Sequence, residues 1–295
     1  MDRKNFLSAL AATALAGLGT GACRPDEPAA DAGAPASDTT PAAGGRTLDR
    51  IGVQLYTVRD RMARDAAATL REVAGVGYRE VETAGLFQLS PEQFRSALDE
   101  AGLVSPAGHF PIDAVREQPA ATLAIARTLG QQWLVVPYLD ESERTADGYQ
   151  RLADDLNRFA VAARDEGIRV AYHNHDFEFA PLSDGRTGYD LLLDGTDPSL
   201  VDIELDLFWA VKGGRDPVAL FAAHPGRFTL CHVKDMTDIA GSQEMVAVGE
   251  GEIDFAGIFA RGEAGLRHYF VEHDNPGDPI ASIRTSYEHL RQLSF

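Results

Sequence analysis

The sequence predicts an α/β protein whose body is a single (β/α)8 barrel of the TIM class, and three observations predict it. Short β-rich runs recur along the chain, beginning near Ile51, Tyr78, Val104, Trp133, Arg169, Val201, Phe228 and Tyr269, and stretches of helical periodicity lie between most of them. Several of those stretches stop at a glycine, Gly77, Gly102, Gly130 or Gly167, where a helix ends most easily in a left-handed residue before the next strand. Residues 50–295 also come close to the ~250 residues of a barrel of eight such units. An open doubly wound sheet is the rival. No Gly-x-Gly-x-x-Gly follows the first run, however, and no Gly-x-x-x-x-Gly-Lys-Ser/Thr occurs, so neither glycine-rich phosphate cradle is present.

In chain order, residues 1–23 read as an export signal. A charged start, Asp2-Arg3-Lys4, is followed by an apolar Ala/Leu/Gly run and the small-residue zone Gly21-Ala22 before Cys23. Arg3-Lys4-Asn5-Phe6-Leu7 resembles a twin-arginine signal, and Cys23 resembles a lipoprotein acylation site, which would give a lipid anchor. The run is too short to span ~30 Å of hydrocarbon. Residues 24–49 are expected to be a disordered linker: up to Gly45 they hold seven Ala and four Pro and no Ile, Leu, Val, Phe, Met, Trp or Tyr, so nothing there offsets the entropy of ordering. Within the barrel, helical periodicity runs from Ala66 to Val73, Pro91 to Ala101, Ala120 to Leu129, Tyr149 to Glu166 and Pro217 to Ala223. Gly249-Glu250-Gly251-Glu252 reads as a turn before a helix.

Composition removes several classes of function. A chain with 45 acidic and 27 basic residues, net charge −18, repels polyanions, so nucleic acid and anionic membrane surfaces are poor partners. Two cysteines build neither a disulfide framework nor a cysteine zinc cluster. No Gly-x-Ser-x-Gly elbow is present, which disfavours serine hydrolysis.

Barrels of this class keep their active sites where strands finish, and alternate residues of a strand share a face. The strand ends carry Gln54 and Tyr56, Glu80 and Glu82, His109, His173 and His175, Glu204 and Asp206, His232 and Lys234, and Glu272 and Asp274. Burying that many carboxylates and imidazoles against one lysine calls for a counter-charge, and a divalent metal ion is the economical one. Cys231 alternates away from His232 and belongs to packing. Trp209, just past a strand end, is either core or a platform for the apolar face of a sugar. His232 on its own could be a satisfied core histidine; Asp206 and Lys234 nearby turn the reading toward a ligand.

The order and spacing of Gly52-Val53-Gln54-Leu55-Tyr56-Thr57-Val58-Arg59, Tyr172-His173-Asn174-His175-Asp176-Phe177-Glu178-Phe179, Glu204-Leu205-Asp206-Leu207-Phe208-Trp209, Cys231-His232-Val233-Lys234-Asp235 and Gly249-Glu250-Gly251-Glu252-Ile253-Asp254-Phe255 resemble the sugar phosphate isomerase/epimerase family, the xylose isomerase-like TIM barrels. The resemblance runs over nearly all of residues 50–295. It implies one divalent ion, Mn, Mg, Co or Zn, with Asp206, His232 and Glu272 as ligands. Many relatives place a glutamate at the end of the fifth strand; this chain has His173 there, taken as the fourth ligand.

The chemistry that follows is proton abstraction beside a carbonyl, through an enediolate. Glu272, Lys234, Glu178 and His175 are the candidate catalytic residues, and Gln54, Glu82, His109, Glu204 and Trp209 the candidate substrate contacts. An isomerase or epimerase returns the proton to another carbon or face; a lyase loses a β-substituent instead, as in elimination from a 3-keto-glycoside. A non-catalytic sugar-binding lipoprotein is the third reading. An exported protein, periplasmic or membrane-anchored, with no evident basic cluster for phosphate is expected to meet a neutral sugar, keto-sugar or glycoside.

Overall fold

A computed structural model of the chain describes residues 45–295. The signal in residues 1–23, its Cys23 and the linker up to residue 44 lie outside the described residues. Order begins earlier than the expected Arg50. Arg46 and Phe295 exchange two backbone hydrogen bonds of 2.7 and 2.9 Å, and the Arg46 guanidinium lies over the Phe295 ring, so the end of the last segment ties down the start of the barrel domain.

The strands are β1 (Gly52–Gln54), β2 (Glu80–Thr83), β3 (Val104–His109), β4 (Trp133–Val136), β5 (Arg169–His173), β6 (Val201–Asp206), β7 (Phe228–Val233) and β8 (His268–Val271). All pair in parallel with their neighbours, and β8 closes onto β1 through Gly52 opposite Phe270 and Val53 opposite Val271. Closure needs a glycine there: a Cβ on Gly52 would stand 2.5 Å from the Phe270 ring. Helices follow the expected periodicity at Ala66–Val76, Pro91–Ala101, Pro119–Leu129, Ala146–Asp165 and Pro217–Ala223. Each starts on a residue suited to it. Asp65, Thr145 and Asp216 cap through their side chains, and Ser90 forms a reciprocal capping box with Gln93. Gly102 and Gly130 close their helices in the left-handed region.

Alternation sorts every strand between two environments. Val53, Val81, Leu134, Val136, Val170, Tyr172, Ile203, Leu205, Cys231, Val233 and Val271 pack outward against the helices in the main apolar core, as expected for Cys231. Inside the barrel a separate small layer of Ala107, Trp133, Val135, Ala171, Leu230 and Phe270 fills the waist. Polar residues then occupy both ends of the interior. At the strand starts, Glu80 binds His268 and Arg50, and Asp202 binds Arg169 and Trp133. At the strand ends lies the candidate site.

A short antiparallel ribbon, Asp235–Met236 with Met245–Val246, follows β7. The Asp235 carboxylate organises it, accepting from the N–H groups of Gly249, Gly251 and Ile253. Gly249 sits at φ 96°, a conformation that glycine adopts without strain. The expected turn before a helix is this loop, and Asp254 then caps Phe255–Phe259.

Candidate functional site

The strand ends bring the polar side chains together in two tiers. The lower tier consists of Glu82, His109, His173, Glu204 and one edge of His232. His109 Nε2 lies 3.1 Å from Glu82 Oε2 and 2.9 Å from Glu204 Oε2. His232 Nε2 lies 2.6 and 3.2 Å from the same two oxygens, and His173 Nδ1 lies 3.1 Å from Glu204 Oε2. Gln54 donates to Glu82 Oε2 at 2.6 Å. The upper tier, nearer the mouth, consists of Asp206, Lys234, Glu272, Asp274 and the other edge of His232. Lys234 Nζ lies 2.9 Å from Asp206, 2.7 Å from Glu272 and 3.0 Å from Asp274, and His232 Nδ1 lies 2.7 Å from Glu272.

Local structure sets each of these positions. Asp206 ends β6 and caps the helix Leu207–Lys212, its Oδ1 accepting from the Trp209 N–H at 3.0 Å while Oδ2 faces the cluster. One carboxylate thereby fixes both the strand end and Trp209. Asn174, fully buried, extends the β5–β6 pairing with its side chain: Oδ1 accepts from the Asp206 N–H at 3.0 Å and Nδ2 approaches the Asp206 carbonyl at 3.4 Å. The Asp274 N–H rests on Met245 Sδ of the ribbon.

Burial and charge oppose one another across the cluster. Burial disfavours a charged His232, but Glu204, Glu272 and Glu82 outweigh it and hold the imidazole well above its usual range. Burial likewise works against charge on His109, yet Glu82 and Glu204 push it up to about 9. His173, buried and beside His232, is pushed down to about 3. Burial lifts Asp206 to about 6 although Lys234 pulls the other way. Glu82 Oε1 and Glu204 Oε1 are buried without a hydrogen-bond donor. Imidazole nitrogens and carboxylate oxygens with lone pairs left over form a donor set suited to a divalent first-row ion. Two groups are compact enough to hold one: His109, His173, Glu204 and His232; and Asp206, His232 and Glu272. The metal ligands expected from the sequence thus fall into both, with His173 grouped in the lower.

Other expected site residues are placed differently. Gln54, Glu82 and Glu204, read as substrate contacts, are fully buried beneath the imidazoles and serve the cluster rather than an open surface. Glu178, read as catalytic, is turned away. The turn Phe177–Phe179 sends its carboxylate back to the helix side of β5, where it accepts from the Tyr172 hydroxyl at 2.6 Å and the His175 N–H at 2.7 Å, and burial raises it to about 7. Its role is to hold the loop that carries His175. The His175 ring sits among His173, Tyr138, Phe177 and Trp209, with centroids 5.2–5.5 Å away, and Lys234 Nζ lies 5.7 Å over the Trp209 ring. Trp209 therefore borders the cluster, as a sugar platform would. Asn174, Tyr138 and Phe177 escaped the sequence reading, because their roles depend on pairing across strands and loops.

A parallel eight-stranded barrel with such a cluster at its strand ends is a (β/α)8 protein whose chemistry sits where this class keeps its active sites. The chain belongs to the xylose isomerase-like TIM barrel family, whose model matches residues 70–293. An inosose dehydratase of Geobacillus kaustophilus is 25% identical over 230 residues, 65% of this chain and 74% of that protein. An inosose dehydratase of Clostridium beijerinckii is 30% identical over 137 residues, 41% of this chain; the match spans 43% of that relative's length. A sugar phosphate isomerase/epimerase structure from Parabacteroides distasonis superposes with a TM-score of 0.72 at 27% identity, covering 82% of this chain and 98% of that one.

Proposed function

We propose that the protein is a divalent-metal-dependent sugar isomerase or epimerase that removes the carbon-bound proton beside the carbonyl of a neutral keto-sugar. The observation that carries this reading is the buried surplus of carboxylates around His232 and Lys234, with acceptor oxygens left over. A divalent ion bound by residues of either tier would supply Lewis-acid polarisation of the carbonyl and its neighbouring hydroxyl. Lys234 donates to the substrate oxygen on which charge develops. As its ammonium turns toward substrate, Glu272 loses part of its counter-charge and takes the proton as base. Trp209 and His175 bound the pocket on the side of the sugar's apolar face.

Neutral substrate fits the charge at the mouth. A cavity of about 320 Å³ beside it is lined by Arg59, Arg61 and Arg64. Arg59 is spent on the carbonyls of Tyr56 and Asp274 and on Asn275, and Arg61 on Glu72, which leaves a single uncommitted arginine there. The export signal read in residues 1–23 supports action outside the cytoplasm.

A second reading, elimination of a β-hydroxyl or β-glycosyl group after the same proton abstraction, is favoured by the two inosose dehydratase relatives. In it, His175 protonates the leaving group.

Incubation of the metal-supplemented protein with keto-sugars, keto-cyclitols and 3-keto-glycosides in D2O, followed by NMR, tests both readings. Deuterium beside the carbonyl in recovered or isomerised sugar supports the first, and an unsaturated or cleaved product the second. Absence of exchange with the whole panel would sink the proton-abstraction mechanism.

A further inference from the structure

Beside the reaction site lies a second place for substrate. We propose that the cavity between the loops after β1 and β8 holds an uncharged second sugar ring, so that the keto-sugar at the strand ends is one half of a two-ring glycoside. This rests on the reading above only in that a keto-sugar is bound at the strand ends.

The cavity measures about 320 Å³, at the lower end of the ~300–1,000 Å³ that small-molecule pockets span. It shares a wall with the upper tier. The Asp274 carboxylate takes the Lys234 ammonium at 3.0 Å, while its backbone carbonyl accepts from Arg59 at 2.6 Å and the next residue, Asn275, accepts from the same guanidinium at 2.9 Å. A substituent directed from a sugar at Lys234 past Asp274 meets this cavity.

Its walls are fixed before any ligand arrives. Arg59 ties the end of β1 to the end of β8 through the Tyr56 and Asp274 carbonyls, and its guanidinium lies 4.0 Å over the Tyr56 ring. The Thr57 hydroxyl accepts the His273 N–H at 3.0 Å, and Pro276 and Pro279 stiffen the β8 side. Little ordering cost then falls on binding.

The chemistry of the walls selects the occupant. Thr57, Asp60, Arg64 and Asn275 offer hydroxyl, carboxylate, guanidinium and amide groups, donors and acceptors mixed as a sugar ring requires, since each of its hydroxyls both donates and accepts. Asp60 and Arg64 stand four residues apart where the helix Arg59–Met62 runs out, a spacing at which an aspartate and an arginine commonly pair. They form no ion pair with each other, and both side chains stay open on the cavity wall. Apart from the two prolines, no apolar side chain among the described residues lines the space, which leaves an alkyl chain or an aromatic ring nothing to bury against. A phosphate would face Asp60, and Arg59 and Arg61 are already held by carbonyls, by Asn275 and by Glu72. A neutral polyhydroxylated ring meets neither obstacle.

Binding of sugars that lack the keto group tests the subsite apart from the chemistry. The metal-supplemented full chain and its Asp60→Ala and Arg64→Ala variants, each checked by thermal unfolding, are titrated with glucose, cellobiose, maltose, trehalose and glucose 6-phosphate and followed by saturation-transfer NMR. In wild type at least one disaccharide should bind about tenfold more tightly than glucose, the return on one or two hydrogen bonds to charged groups. Both substituted positions are exposed, so the variants keep the fold, and in each the disaccharide preference should vanish. A wild type without that preference, or a preference that survives either substitution, would overturn the subsite. A gain for glucose 6-phosphate over glucose that Arg64→Ala abolishes would overturn it too, by making the cavity an anion site. Deuterium exchange into keto-monosaccharides is read separately. Exchange with no disaccharide preference removes the second ring and leaves the catalytic reading standing; a preference without exchange supports the subsite and removes the mechanism.

Discussion

The two ends of the barrel interior are both polar, both buried and built from the same residue types, yet only one leaves its charges unmatched. At the strand starts each charge has a partner of its own. Arg169 grips Asp202 through two hydrogen bonds of 2.5 and 2.7 Å, Trp133 adds a third at 2.8 Å, and His268 and Arg50 divide the oxygens of Glu80 at 2.7 and 3.2 Å. At the strand ends Glu82, Glu204, Asp206, Glu272 and Asp274 face a single lysine and three imidazoles, and acceptor oxygens remain. A satisfied network plugs a barrel. An unsatisfied one, held in place by the surrounding fold, is the electrostatic strain that function uses.

Matched carboxylate-to-amide changes at the two ends separate them most strongly. Glu272→Gln should lower proton exchange by about 10²–10⁴-fold, the contribution of a positioned general base, while Glu80→Gln leaves it within about twofold because that residue reaches only the plug. Equal losses in the two variants, measured by NMR in D2O, would mean that the ends are not functionally distinct. Lys234→Met should be the most destabilising change at the mouth, costing about 3–5 kcal/mol in denaturant unfolding because three buried carboxylates lose their only ammonium. Added Mn²⁺ should return part of that loss, and no metal response would argue against a cation seat at this end. Asp202→Asn, at the other end, should cost less, about 1–3 kcal/mol, since the exposed half of Arg169 can turn to water. Its exchange rate should equal that of wild type.

The same contrast explains which features are legible in the amino-acid sequence and which are not. β3 to β7 begin at the residues expected, Val104, Trp133, Arg169, Val201 and Phe228, because strands covered on both faces read as continuous apolar runs and the helices between them carry their own stop signals. Which residues share an inward face was equally legible, since alternation is local. Which inward residues touch was not. The approach of Glu82 to His232 depends on the stagger of strands far apart in the chain, and nothing in either segment encodes it. Glu178 shows the limit most clearly. Counting onward from His175 kept it with the site, but the tight turn Phe177–Phe179 breaks the strand parity and delivers its carboxylate to Tyr172 on the far side of β5.

The smallest effect expected is also the one that tests the plug on its own terms, through pH. Burial by itself would raise the Glu80 carboxyl, but the His268 hydrogen bond and charge, with Arg50 behind them, hold it below its usual value. A carboxylate depressed in the folded state contributes stability that is fully present above its unfolded pKa and is lost as pH falls through the folded one. Between pH 7 and 5 wild type should therefore exceed Glu80→Gln by a constant margin, on the order of 1 kcal/mol, since Arg50 is largely exposed and screened. Below about pH 4 the margin should shrink as Glu80 takes up its proton and becomes, like glutamine, uncharged. Urea unfolding of both proteins across pH 3–7 measures it. A margin that instead widened toward acid would mean that Glu80 is protonated in the folded barrel at neutral pH, and the plug would then carry the same unmet electrostatics as the mouth.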